Sequence, residues 1–69
     1  MYILARRAYR KNAKRHISGR FNNIDDAIKE GVKFAAYNKY LYTLHTGDWR
    51  YVGCFLFVDG EWKFMYDPE

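Results

Sequence analysis

The chain has one cysteine, one proline and no long apolar run, and each scarcity argues against a class of protein. Cys54 alone forms neither an internal disulfide nor a multi-thiolate metal site, as is typical of a reducing compartment. The longest apolar run, Val52 to Val58, is far shorter than the roughly 20 residues of a membrane-spanning helix. The apolar stretch from Met1 to Ala5 is too short for a secretory signal and precedes the basic residues. We therefore expect a cytoplasmic protein with no membrane partner.

Acidic residues are absent from the first twenty positions, although seven of the twelve Lys and Arg residues lie there. From Phe21 onward the chain has five basic residues and all eight acidic ones. A concentrated positive field attracts phosphates or an acidic protein surface. It influences how fast such a partner associates and how strongly salt weakens the association. The basic N-terminal segment, residues 1–20, is therefore the main functional indication. Its cations are Arg6, Arg7, Arg10, Lys11, Lys14, Arg15 and Arg20.

The length and composition predict one small folded domain. A chain of 69 residues is near the size at which a single core just offsets the loss of chain entropy. Its composition is 49% hydrophobic and 20% aromatic, unlike the low hydrophobicity of disordered chains. We therefore expect residues 1–69 to form a single domain.

A helix is predicted over about residues 23 to 40. Asn22 and Asn23 are typical N-cap residues, and Asp25 and Asp26 then lie in the positive first turn. Gly31 costs about 1 kcal/mol relative to Ala inside a helix, so its presence indicates close approach by a neighbouring element. Apolar residues recur at intervals of three and four along one stripe. They are Ile24, Ala27, Ile28, Phe34 or Ala35, and Leu41.

Three strands are predicted after the helix, at about residues 40–45, 49–58 and 61–66, separated by Thr46-Gly47-Asp48 and Asp59-Gly60. A two-residue turn at Asp59-Gly60 pairs Val58 with Glu61, Phe57 with Trp62, and Phe55 with Phe64. Regular alternation then gives the sheet an aromatic face, consisting of Trp49, Tyr51, Phe55, Phe57, Trp62, Phe64 and Tyr66. The opposite face carries Arg50, Val52, Cys54, Leu56, Val58, Glu61, Lys63 and Met65.

The basic N-terminal segment is compatible with two structures. Its basic residues repeat at helical spacing with apolar residues opposite, as in an amphipathic helix. However, Tyr2-Ile3-Leu4 and the stretch from His16 to Phe21 have strand character, and Lys11-Asn12 is a turn signal. We favour the hairpin, which predicts an α+β fold: an antiparallel sheet packed on one face by the single helix. The alternative is an additional basic helix at the N-terminus.

The leading functional prediction is a small non-enzymatic module that contacts nucleic-acid phosphates. Arg and Lys neutralise phosphates and release counterions without reading the sequence. No zinc-finger spacing, Gly-x-x-Gly loop or aromatic RNA-recognition signature accompanies them, so neither sequence specificity nor a choice between DNA and RNA is predicted. The predicted contact residues are Arg6, Arg7, Arg10, Lys11, Lys14 and Arg15.

The predicted sheet also suggests a protein-binding surface. So many exposed rings would form an unusually large apolar patch, so the aromatic face is expected to be core. Val52, Leu56 and Met65 on the opposite face are candidates for a homodimer or partner interface. The alternative function is an inhibitor or adaptor that binds a host protein through this face, or through the basic end docked on an acidic surface. In size and lack of motifs the chain resembles the very small proteins with which bacteriophages modulate host machinery, although no specific residues carry that resemblance.

Catalysis and metal binding are not predicted. His16, His45 and Cys54 lack the spacing of metal ligands. Asp48 beside Gly47 is typical of a turn residue, which is a better interpretation than an acid–base partner for His45. Because no nucleophile–base set or phosphate loop is found, we expect no enzymatic activity and no cofactor.

Overall fold

The computed structural model describes residues 1–68, which form five strands and one helix. The strands are β1 (Tyr2–Arg7), β2 (His16–Phe21), β3 (Leu41–Thr46), β4 (Tyr51–Val58) and β5 (Glu61–Tyr66), and α1 spans Ile24–Tyr37. They build one antiparallel sheet in the order β2-β1-β3-β4-β5, with α1 packed against it. The predicted α+β fold is confirmed. The N-terminal segment forms the β1–β2 hairpin and not the alternative helix.

α1 begins where the sequence indicates but ends earlier than predicted. Asn23 is the N-cap, because its side-chain oxygen accepts a hydrogen bond from the backbone N–H of Asp26 at 2.9 Å. The helix ends at Tyr37 and not near residue 40, because Asn38 has an extended backbone (φ −116°, ψ 152°). The Asn38 backbone N–H still donates to the Phe34 carbonyl at 2.9 Å, which satisfies one of the carbonyl groups at the helix end.

The core lies between α1 and the sheet. Residues 27, 31 and 35 are one helical turn apart, and all three are buried. The close approach predicted at Gly31 is confirmed, because a Cβ atom at that position would lie 2.6 and 2.8 Å from two ring atoms of Phe55. The small residues therefore bring the helix directly onto β4. The central cluster is Leu4, Ala27, Ala35, Tyr42, Leu44 and Phe55.

The β4–β5 hairpin has the predicted register. Val58 pairs with Glu61, Phe57 with Trp62, and Phe55 with Phe64. Asp59 and Gly60 both have left-handed backbone angles, with φ of 50° and 84°. Positive φ at both central residues is the requirement of the two-residue turn that matches the twist of a hairpin.

A β-bulge between β3 and β4 makes the predicted face assignment wrong at the start of β4. His45 pairs with Tyr51 and Leu44 pairs with Gly53, so Val52 is an additional residue in β4. Val52 packs against the core, whereas the Tyr51 ring lies 5.7 Å from the ring of His45. Trp49 precedes β4 and has a φ of 67°, so its side chain does not follow the strand alternation.

The prediction that the aromatic face is core is correct only near the helix. Phe55 is fully buried, and Trp62 and Phe64 pack against the central cluster. In contrast, Phe57 is 61% exposed and Tyr66 is 60% exposed. α1 has 14 residues and is about 21 Å long, so it does not cover both ends of the β4–β5 hairpin.

Candidate nucleic-acid interface

The loop between β1 and β2, here called the basic loop (residues 8–15), displays positive charge at one end of the sheet. Asn12 adopts a left-handed conformation with a φ of 65°, as expected for a turn at Lys11-Asn12. Two backbone hydrogen bonds support the turn: Arg10 N–H donates to the Ala8 carbonyl at 2.9 Å, and Ala13 N–H donates to the Arg10 carbonyl at 3.3 Å. The exposed cations of the loop are Arg10, Lys11, Lys14 and Arg15.

All six predicted contact residues lie in or beside the basic loop. Arg6 and Arg7 end β1, and the other four belong to the loop itself. A cavity of about 660 Å³ is lined by four of the six, and none of its described lining residues is acidic. The hairpin thus brings together cations that come from both ends of the loop. The cavity is lined by Arg6, Arg7, Arg10, Lys14, His16 and Tyr40, among others.

The cations of the basic N-terminal segment are not neutralised within the described residues. The ion pairs found among residues 1–68 join Lys33 to Glu30 at 4.0 Å, Arg50 to Asp48 at 3.5 Å, and Lys63 to Glu61 at 3.4 Å. All of these pairs lie outside residues 1–20. The positive field therefore remains available to an anionic partner.

Two arginines of the basic N-terminal segment contact aromatic rings. Arg6 Cζ lies 5.2 Å from the ring centroid of Tyr40, and Arg15 Cζ lies 4.6 Å from that of Trp49. Such contacts fix the position of a guanidinium group without cancelling its charge. The Arg15 contact holds the end of the basic loop against the turn that precedes β4.

The side of the sheet opposite α1, here called the open face, carries a second cavity of about 510 Å³. Neighbouring residues of a strand point to opposite faces, so His45 lies on the open face because Leu44 lies in the core. Arg7 lines both cavities, so they are adjacent at the end of β1. Lining residues of the open-face cavity include Arg7, Arg15, Thr43, His45, Tyr51 and Cys54.

His45 is the most buried polar residue of the open face, with 3% of its surface exposed. Its Nε2 atom lies 2.9 Å from Thr43 Oγ1 in a hydrogen bond, whereas its buried Nδ1 atom has no hydrogen-bond partner among the described residues. Burial lowers the pKa of His45, and the positive charge of Arg15 lowers it further. The imidazole is therefore neutral at physiological pH and has one unused hydrogen-bonding atom.

Two aromatic rings flank His45. The Trp49 ring centroid lies 5.2 Å from that of His45 and the Tyr51 centroid lies 5.7 Å away, both at tilted angles. Partial burial raises the pKa of Tyr51 to about 12, and the neighbouring Cys54 and Asp67 contribute to this increase. The Tyr51 hydroxyl group therefore stays protonated. The open-face cavity thus combines the exposed Tyr51 ring with two arginines and a neutral histidine.

Sequence reasoning did not identify the open-face cavity. It considered His45 as a metal ligand and as an acid–base partner of Asp48, and it favoured neither role. The Asp48 carboxylate accepts from Thr46 Oγ1 and pairs with Arg50. The sequence feature that could have indicated this cavity is the pair of aromatic residues at positions 49 and 51. Regular strand alternation instead assigned both side chains to the core. The bulge that moves Tyr51 to the open face has no clear sequence signature.

The predicted apolar interface is divided between the two faces of the sheet. Leu56 and Met65 are exposed, with 41% and 45% of their surfaces accessible. Val52 is half-buried against the core, so little of its side chain is accessible to a partner. Leu56 and Met65 remain candidates for a protein contact.

Comparison of the chain with protein-family models, curated proteins and solved structures finds no match. Among residues 1–68, no helix is both long and apolar enough to cross a membrane.

Proposed function

We propose that this protein is a small non-enzymatic module that binds nucleic acid through the phosphates, using the basic loop and the end of β1. The observation that carries the proposal is the group of six basic residues around one loop, none of which forms an ion pair with another described residue. Phosphate contacts made by Lys and Arg dominate the affinity of such proteins and do not depend on base sequence. We therefore propose binding without strong sequence preference.

The proposal is tested by the salt dependence of binding to labelled single-stranded and duplex oligonucleotides. The triple variant Arg10→Gln/Lys11→Gln/Lys14→Gln removes three exposed cations from the basic loop without touching the core. Each phosphate contact contributes about 0.7 (single strand) to 0.9 (duplex) to the slope of log affinity against log salt. The variant should reduce that slope by about 2 to 3 units on either form.

A matched control removes the same charge elsewhere. Lys29→Gln/Lys33→Gln/Lys63→Gln changes three exposed lysines outside the basic N-terminal segment. Fluorescence anisotropy between about 50 and 200 mM salt should show a steep slope for the wild type and for this control. Three results would each rule out the proposed function: an equal reduction of the salt slope in the two triple variants, binding that does not depend on salt, or no binding to any nucleic acid.

A second candidate function is an inhibitor or adaptor that binds another protein. The supporting observation is the exposed apolar side chains on both faces of the β4–β5 hairpin: Leu56 and Met65 on the open face, and Phe57 and Tyr66 on the face of α1. β5 is also an edge strand, whose free backbone groups are able to pair with a partner strand. Stoichiometric recovery of one protein from nuclease-treated lysate, lost in Leu56→Ser/Met65→Ser but kept in the basic-loop triple variant, would favour this function.

A further inference from the structure

We infer that the open-face cavity holds an unpaired base of a single-stranded nucleic acid, while Arg7 and Arg15 contact the adjoining phosphates. This inference rests on the proposed function and specifies which form of nucleic acid the protein prefers. The cavity volume of about 510 Å³ lies within the roughly 300–1,000 Å³ of small-ligand sites. Its ligand should be anionic, because the lining includes Arg7 and Arg15 and no acidic residue among those described.

The Tyr51 ring of the cavity supplies a stacking surface. Tyr51 is 45% exposed, although its neighbour across the bulge, His45, is buried. Exposed rings beside arginines are the typical platform for single-stranded nucleic acids, because every base presents a π-face. In a duplex the bases are already stacked and paired, so they do not reach a cavity in a sheet. The cavity therefore selects for unpaired nucleotides.

Arg15 is positioned for a phosphate by its contact with Trp49. A guanidinium group held over a ring keeps its N–H donors at the edge, where they form charge-assisted hydrogen bonds to phosphate oxygens. Arg7 lines both the open-face cavity and the cavity of the basic loop. A nucleic-acid backbone following the loop cations would thus reach the open face directly.

His45 lines the cavity beside Tyr51. Its Nε2 atom is already hydrogen-bonded to Thr43 Oγ1, and its Nδ1 atom is buried with almost no accessible surface. A base in the cavity would therefore be held by stacking on Tyr51, and His45 would supply no hydrogen bond that distinguishes one base from another.

The first test compares two Tyr→Thr variants with short oligo(dT), oligo(U) and a duplex as probes. Stacking contributes about 5- to 150-fold in affinity per base, so Tyr51→Thr should weaken single-strand binding by that factor and leave duplex binding unchanged. Tyr51→Phe keeps the ring and should bind single strands as the wild type does. Tyr66→Thr is the matched control, because Tyr66 is at least as accessible as Tyr51 (60% against 45% of its surface) but lies on the face against which α1 packs. The oligo(dT) and oligo(U) arms report whether the cavity takes DNA, RNA or both.

The second test needs no substitution, since Cys54 lines the cavity and is the only cysteine of the chain. Alkylation of the Cys54 thiol by iodoacetamide should slow as oligo(dT) or oligo(U) occupies the cavity, and the duplex should not protect it. Unchanged alkylation at saturating single strand, or equal effects of Tyr51→Thr and Tyr66→Thr, would overturn the inference. Duplex binding that the basic-loop variant weakens would then still support the proposed function, so the two failures are distinguishable.

Discussion

The contact between Gly31 and Phe55 gives the sharpest prediction about stability. Replacing Gly31 by Ala adds one methyl group that would lie within 3 Å of three Phe55 ring atoms. The ring is fully buried and packs against Phe64 with a centroid separation of 4.9 Å, so it has little room to move. The helix must therefore shift away from β4, or the ring must leave its preferred position.

Two opposing effects determine the size of the change. Ala is favoured over Gly in a helix interior by about 1 kcal/mol. Overpacking of a well-packed core costs about 1–3 kcal/mol, and a contact on a buried ring should lie in the upper part of that range. We expect Gly31→Ala to lower the free energy of unfolding by about 1–2 kcal/mol, which corresponds to a decrease in melting temperature of roughly 5–15 °C.

Urea denaturation followed by circular dichroism measures this change, provided that the variants share one m value. The pair Lys29→Ala and Lys29→Gly, on the exposed side of α1, measures the propensity difference without a packing term. The double variant Gly31→Ala/Phe55→Leu should lose less stability than the sum of its single changes, because the smaller side chain leaves room for the methyl group. If Gly31→Ala were as stable as the wild type or more so, α1 would not approach β4 as described.

Two further predictions concern the helix start and the buried histidine. Asn23→Ala should cost about 1 kcal/mol of unfolding free energy because the Asp26 N–H loses its acceptor, whereas Asn22→Ala should have little effect; equal costs in urea denaturation would contradict the N-cap assignment. The pKa of His45 is lowered in the folded state, so the unfolded chain binds a proton more readily, and stability should fall as the pH decreases below about 6.5. Urea denaturation between about pH 7.5 and 5 should show this decrease in the wild type and a weaker one in His45→Asn; identical profiles would contradict the effect.

The parts of the fold that the sequence predicts correctly are those determined by neighbouring residues. The N-terminal boundary of α1 follows from an N-cap residue and two aspartates, and the β4–β5 register follows from Asp59-Gly60. Both signals are local, because a cap or a two-residue turn involves only a few consecutive residues. Gly31 also indicated the helix–sheet contact, because glycine destabilises the interior of a helix and is expected there when close packing leaves no room for a side chain.

The errors arise where residues distant in the sequence decide the structure. The bulge opposite His45 depends on pairing between β3 and β4, and it moves Tyr51 to the open face while Val52 turns to the core. The exposure of Phe57 depends on where a short helix crosses the sheet. For the site, composition alone identified the six basic residues, but the open-face cavity requires β1 to lie beside β3, which no local pattern indicates.

The position of β1 has a consequence for experiments on this protein. β1 pairs with β2 on one side and with β3 on the other, so residues 2–7 lie inside the sheet and not at its edge. Leu4 and Ala5, which immediately precede Arg6 and Arg7, have no exposed surface. The basic N-terminal segment is therefore part of the folded sheet: truncating it would remove two of the five strands and the core residue Leu4, and a synthetic peptide of the same residues would lack β3 as a pairing partner. Single-residue changes in the loop are the means of separating recognition from folding.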